Sequence, residues 1–140
     1  MGRTKVDLPE DFSFQTTIPI RITDVNYGGH VGNDTVLTLL HEARMQFLKH
    51  HGFSEMDFGG VGLIMSDVII EFKKEIFYGE EITIFVNISN FTRIGFDVFY
   101  MVVKSQQELV VAKAKTGMVC YDYKLKKIVS VPETALQSFK

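Results

Sequence analysis

Between Arg21 and Asp34 the chain reads Arg21-Ile22-Thr23-Asp24-Val25-Asn26-Tyr27-Gly28-Gly29-His30-Val31-Gly32-Asn33-Asp34. Three glycines here separate a strand-like run from a helical one. A turn this tight fixes where the helix begins, and everything downstream must pack against that helix. Asn33 or Asp34 can cap it by accepting from the free N–H groups of its first turn. Val36, Leu40, Ala43 and Phe47 recur at helical spacing, widened by Leu37, Leu39 and Leu48. Gly52 stops the pattern, after Lys49, His50 and His51 at the negative end of the dipole. The spacing predicts a helix over residues 34–51.

The remainder reads as strand. Residues 16–23 place Ile18, Ile20 and Ile22 on one face. Pro19 assigns this run to an edge or a strand start, because it cannot donate to a ladder. Gly59-Gly60 marks a loop, residues 66–77 are extended, and Tyr78-Gly79-Glu80 forms a turn. Residues 81–90 alternate, with Ile82, Ile84, Val86 and Ile88 facing one way. Further strands follow over 96–104 and 109–121, joined by a polar hairpin, with 128–131 as an extension. Pro132 opens a short helical tail. Residues 1–14 read as a loose lead-in to one domain spanning 1–140. Short connections predict antiparallel neighbours, and the one long apolar helix must bury its stripe on them. The expected class is α+β, a curved antiparallel sheet wrapped around one long central helix. Open sheet edges must be covered or paired, so a homodimer, or a dimer of dimers, is expected.

A chain of 140 residues can bury a real core, and 46% hydrophobic content excludes a disordered or fibrous reading. A net charge of −2 argues against a nucleic-acid partner. The single cysteine, Cys120, excludes an intrachain disulfide and points to a reducing, cytoplasmic setting. In its strand-like run Cys120 reads as a small buried hydrophobe. Residues 1–10 are charged and lack the apolar region of a secretory signal. No apolar run approaches the roughly 20 residues of a membrane span, so no membrane partner is expected.

Three stretches carry a resemblance. Asp24-Val25-Asn26, Gly28-Gly29 and His30-Val31-Gly32-Asn33 follow a pattern of Asp-x-Asp or Asp-x-Asn, a Gly-rich turn, then His-Val-x-Asn. Glu42-Ala43-Arg44 lies in the helix, and Ala112 to Asp122 in the late strand. Together they resemble the 4-hydroxybenzoyl-CoA thioesterase family of hot-dog-fold proteins over about residues 18–133. The resemblance implies the hot-dog fold, hydrolysis of an acyl thioester of coenzyme A or of acyl-carrier protein, and no cofactor.

Thioester hydrolysis needs donors for the oxyanion of a tetrahedral intermediate and a group that activates water or attacks directly. Backbone N–H groups around Gly32, Asn33 and Asp34, where the helix begins, suit the first need. The second is where this chain departs from the family. The resemblance places a catalytic carboxylate at the second acid of the Asp-x-Asp pair, and here that position is Asn26. An amide cannot be a general base, although it can hold the thioester or orient a water. Three residues can replace the missing acid. Glu42 lies nine residues after Asn33, the spacing at which a related hot-dog branch carries its helix carboxylate; it also reads as an ordinary surface residue beside Gln46 or Lys49. His30 suits base work near neutral pH, or it braces the turn. Asp24 matches the first acid of the pair and reads foremost as structural support.

His41, His50 and His51 do not combine with a carboxylate at metal-ligand spacing, so no metal is expected. Arg44 falls toward the apolar side of the helix, where it anchors a buried carboxylate or snorkels. Lys73, Lys74, Arg93, Lys113 and Lys115 are cationic candidates for the phosphates of coenzyme A, with Arg93 and Lys73 foremost. The leading expectation is an acyl-CoA thioesterase in which Glu42 or His30 activates water and Asn26 positions it. A non-catalytic acyl-thioester binding protein is the alternative that Asn26 motivates. A hot-dog hydratase or dehydratase pairing His30 with Glu42 ranks below both.

Overall fold

The computed structural model describes residues 5–140, so the first four residues of the expected lead-in lie outside the described residues. In chain order the elements are β1 (Phe14–Pro19), a single 3-10 turn (Ile22–Asp24), α1 (Asn33–His50), β2 (Gly62–Phe72), β3 (Glu81–Ser89), β4 (Gly95–Lys104), β5 (Leu109–Asp122), β6 (Lys127–Ile128) and α2 (Glu133–Ser138). All strand pairs are antiparallel. The order across the sheet is β1-β3-β4-β5-β2, with β6 on β5.

Period-two alternation makes one face of this sheet apolar. The register aligns Ile84, Val102 and Ala112 across three strands, and Val86, Tyr100 and Ala114 beside them. All six are buried. The stripe of α1 (Val36, Leu39, Leu40, Ala43, Phe47 and Leu48) joins them in one core. Burial of each such Val, Leu or Phe contributes about 1.5–3 kcal/mol, so this face holds the helix in place. Among the described residues no helix is long and apolar enough to cross a membrane.

Several boundaries differ from those read in the sequence. β1 begins at Phe14 and stops at Pro19, and Ile22 is 69% exposed. The alternation ends early because the chain enters the 3-10 turn. α1 begins at Asn33 and is capped by Gly32, not by Asn33 or Asp34, and no side chain bonds the cap. Asp34 instead sits in the first turn, where its charge complements the dipole. β2 runs over Gly62–Phe72 rather than 66–77. It does not pair with β3, its neighbour in sequence, but crosses to β5. The intervening residues 73–80 are too long for a hairpin and pass the start of α1 instead. The lead-in is not wholly loose: Val6 is buried and its N–H donates to Glu71 Oε1 at 3.1 Å. Residues 128–131 do not simply lengthen β5. β6 folds back on its end, and Val129 then donates to Cys120 and Val131 to Arg93.

At the far end of α1, Phe139 closes the core. Its ring lies 5.9 Å from Phe47 and 6.1 Å from Phe58 in stacked geometry. His51 joins this cluster, 4.8 Å from both Phe47 and Phe139, and its buried Nε2 has no hydrogen-bond partner among the described residues. Burial, and then the neighbouring His50, hold its pKa below the ordinary value of 6.5. The folded protein therefore favours neutral His51, and the unfolded chain binds the proton more readily. The stability this contributes is fully present above 6.5 and is lost as pH falls through the lowered folded value. Thermal melts across this range are expected to show a falling midpoint in acid, with a shallower fall in His51→Phe. Equal slopes in the two proteins would contradict it.

Candidate active site

The turn that leads into α1 is stitched at both ends. Asp24 is buried and accepts from the Arg21 backbone N–H at 2.8 Å and from its guanidinium at 3.4 Å. This carboxylate braces the 3-10 turn, as the sequence reading expected of it. Val25 bridges to Val31, the Asn26 N–H donates to the His30 carbonyl at 2.9 Å, and the Gly29 N–H to the Asn26 carbonyl at 3.0 Å. Residues 26–30 therefore close on themselves as a tight loop. The crossover segment fixes that loop from outside: Val31 donates to the Ile76 carbonyl at 2.7 Å, and His30 pairs with Phe77 in an antiparallel bridge.

Within the loop, Asn26 Oδ1 accepts from the Gly28 N–H at 2.9 Å. A backbone N–H can only donate, so this bond identifies the oxygen end of the amide. The Nδ2 donors are left facing the other way, toward the helix. Two glycines make room for the arrangement. A Cβ at Gly28 would lie 3.1 Å from His30 Cδ2 and 3.3 Å from Asn26 Oδ1. One at Gly32 would lie 2.8 Å from Asp34 Oδ1 and 4.0 Å from Asn26 Nδ2. Asn26 thus lies between His30 on one side and the Gly32–Asp34 start of α1 on the other; of these residues, His30 lines the adjoining cleft, while Asn26, Gly32 and Asp34 do not.

The first turn presents backbone donors at the start of α1. Gly32 caps with extended backbone (φ −71, ψ 159), and its carbonyl accepts from Thr35 at 3.0 Å and Val36 at 3.1 Å. No side chain caps the preceding N–H groups. The first donors of a helix have no partner within it, and the dipole concentrates positive charge there. A cleft of about 420 Å³ opens at this point, within the range of small-molecule sites. His30, Asn33 and Val36 line it from the helix side, and Phe72, Lys73, Lys74 and Glu75 from the end of β2. Val111 and Ala112 of β5 form its apolar floor. Lys73 Nζ lies 2.6 Å from Glu71 Oε2, and its hydrogen bond, first among several causes, holds the Glu71 carboxyl below its ordinary pKa.

Not every candidate reaches the cleft. Glu42 is exposed and accepts from Gln46 Nε2 at 2.8 Å, while Gln46 Oε1 accepts from Thr16 Oγ1 on β1 at 2.5 Å. Nine residues of helix carry Glu42 about 13 Å along the axis and half a turn around from Asn33. It therefore faces the β1 side, opposite β2. Arg93 lies outside the cleft too, donating to Ser130 Oγ at 3.4 Å. Lys113 and Lys115 pair in register with Glu71 and Ile69, and do not line the cleft.

Two features escaped the sequence reading. Glu75 Oε1 lies 4.0 Å from His30 Nε2 inside the cleft; the two are far apart in the chain, and only the crossover of β2 brings them together. The second is a buried polar chain. Arg44 is 4% exposed, donates from Nε to Glu55 Oε1 at 3.3 Å, and donates from Nη1 to Tyr100 Oη at 3.0 Å. Tyr100 Oη bonds Thr116 Oγ1 at 2.7 Å, and His41 Nε2 lies 2.8 Å from Glu55 Oε1. Burial raises the Tyr100 pKa and keeps it a phenol. The Arg44 position on the apolar side of α1 was the readable signal, and of its two readings the anchored carboxylate is the one observed. Cys120 is buried, and burial pushes its thiol up to about 11, so it is inert.

The family model described as the thioesterase-like superfamily matches residues 20–139. A protein of Aquifex aeolicus (strain VF5) described as a "Putative esterase" is 30% identical over 131 residues, covering 92% of this chain and 98% of that one. Among solved structures, a hypothetical protein of Aquifex aeolicus is 26% identical with a TM-score of 0.82, covering 91% of this chain and 99% of that one. A 1,4-dihydroxy-2-naphthoyl-CoA thioesterase from Synechocystis has the same TM-score, 0.82, at 19% identity, covering 90% and 94% of the two chains. The fold they share with this chain is the hot-dog fold.

If the glycines serve the site rather than the fold, Gly28→Ala is expected to press on His30 and Asn26 in an exposed turn. Any hydrolytic rate should then fall several-fold, since small misplacements of reacting groups are costly, while the melting temperature stays unchanged. A loss of stability without loss of rate would show that Gly28 is only a turn residue.

Proposed function

The chain belongs to the thioesterase-like superfamily, and on that premise we propose that it hydrolyses acyl-CoA thioesters to the free acid and the thiol. One observation carries this reading: the cleft opens on the start of α1, where Gly32 is the cap and offers no side-chain bond, and His30 lines it. The thioester carbonyl lies against the Asn33 and Asp34 N–H groups, with Asn26 Nδ2 as a further donor. His30 takes a proton from water as the water oxygen bonds to the carbonyl carbon. The oxyanion is held by fixed donors in a site that need not reorganise. Its collapse breaks the carbon–sulfur bond, and the leaving thiolate recovers the proton from His30. Asn26 is thus a positioning group and not the base. Glu42 is set aside as the base because it faces the β1 side of the helix. Lys73 and Lys74, at the end of β2, meet the phosphates of coenzyme A. The thioesterase from Synechocystis acts on an aryl-CoA thioester by its description, which supports coenzyme A as the carrier.

The sheet also supports a homodimer. Among the described residues β2 is an edge strand with one unpaired side. Its inward residues Met65 and Phe72 are 40% and 44% exposed, although they share a face with the core. A second copy pairing along this edge covers both the free backbone groups and these side chains.

With a panel of acyl-CoA substrates, His30→Ala is expected to lower kcat by about 10²–10⁴-fold, and Glu42→Ala to leave it unchanged. The opposite ranking would return the base to the helix. Acyl-CoA binding with no turnover at any chain length would make this a binding protein. Sedimentation is expected to give twice the chain mass, and Val68→Lys on the free edge to shift it toward monomer; a monomeric wild type would contradict the dimer.

A further inference from the structure

Asn26 stands at the position where the resemblance places the catalytic carboxylate, and the remaining acids near the turn are Asp24, engaged by Arg21, and Asp34, in the first turn of α1. The crossover segment brings another carboxylate from elsewhere. His30 and Phe77 are directly opposed in an antiparallel bridge, with their rings 6.5 Å apart. Side chains two residues apart on an extended segment point to the same face, so Glu75 is the diagonal neighbour of His30 on that face. Its Oε1 lies 4.0 Å from His30 Nε2, and both residues line the cleft at the start of α1. The Glu75 side chain is 65% exposed, and an exposed ion pair by itself holds little together. Here the backbone does the holding: the Val31 N–H to Ile76 carbonyl bond of 2.7 Å lies between the two side chains. The approach is set before any charge acts.

We propose that Glu75 is a positioning residue for His30, a carboxylate moved from the turn to the crossover segment. Closing from 4.0 Å to hydrogen-bond distance, it accepts from Nε2–H, fixing the neutral ring as the tautomer with Nδ1 free to take a proton, and it stabilises the imidazolium formed when water is deprotonated. A base oriented by a third group is the general logic of activated hydrolytic sites. No proton passes to Glu75: the proton leaves water for His30 and returns to the thiolate. The assignment rests on the thioesterase reading only for its kinetic consequence; the ring orientation belongs to the free protein.

Two measurements separate these parts. The first is the ¹⁵N shifts of the His30 ring in unliganded protein, at a pH where the ring is neutral, with His30→Gln used to assign the signal. Wild type is expected to show the Nε2-protonated tautomer in excess of its share in free histidine, and Glu75→Ala to fall back to the free-histidine ratio. The second is steady-state hydrolysis of acyl-CoA. Glu75→Ala is expected to lower kcat about tenfold with KM little changed, Glu75→Asp to recover much of the loss, and Glu75→Ala to cost nothing further in a His30→Ala background. An unchanged tautomer in Glu75→Ala overturns the proposal, whether or not the protein turns over any substrate. So does a kcat that depends on His30 but not on Glu75. A protein without turnover, whose His30 tautomer still depends on Glu75, overturns the thioesterase reading while supporting the placement of the carboxylate.

Discussion

The apolar stripe of α1 lies against one face of the sheet, and the position of the groups that α1 brings to the candidate site follows from that burial. Val36, Leu40, Ala43 and Phe47 leave the helix no freedom to rotate. Its first turn, its cap at Gly32 and the donors beyond the cap are therefore presented in one direction. Arg44 reinforces this from within. A buried cation that lost Glu55 or Tyr100 would be costly, so the helix cannot shift without breaking a continuous polar chain through the core.

The second constraint is the crossing of β2 to the far edge of the sheet. A hairpin from β2 to β3 would have left the start of α1 open to solvent. Instead residues 73–80 traverse it, pair with residues 29–31, and form one wall of the cleft. Polar groups gather where helix and crossover meet, while Val111 and Ala112 supply the apolar floor. A polar head and an apolar tail could thus be accommodated side by side, which is the chemical character of an acyl thioester.

Much of the fold was legible because its signals are local. The helical spacing from Val36 to Phe47 and the alternation from Ile82 to Ile88 each report a buried face directly. Boundaries were less legible where tertiary contacts decide them. Ile22 continues an apolar alternation in sequence, but the Asp24 carboxylate turns the chain away first. Gly32 rather than Asn33 caps α1, and a Cβ there would press on the Asp34 side chain at 2.8 Å, a contact set by the fold and not by the local sequence. At the site, the Gly-rich turn marked in sequence where α1 begins and where the cleft opens. Glu42 matched by spacing alone, and spacing does not say which side of a helix faces a cleft. Glu75 had no local signal at all, since its partner is reached only through sheet topology.

The most direct test is a structure with a non-hydrolysable acyl-CoA analogue in which a methylene replaces the thioester sulfur, leaving a ketone carbonyl in place of the reactive thioester. The carbonyl oxygen is expected about 2.7–3.1 Å from N–H groups at the start of α1, with His30 beside the carbonyl carbon. An analogue bound with its carbonyl remote from Asn33 and Asp34, or against Glu42 on the β1 side of the helix, would contradict the account.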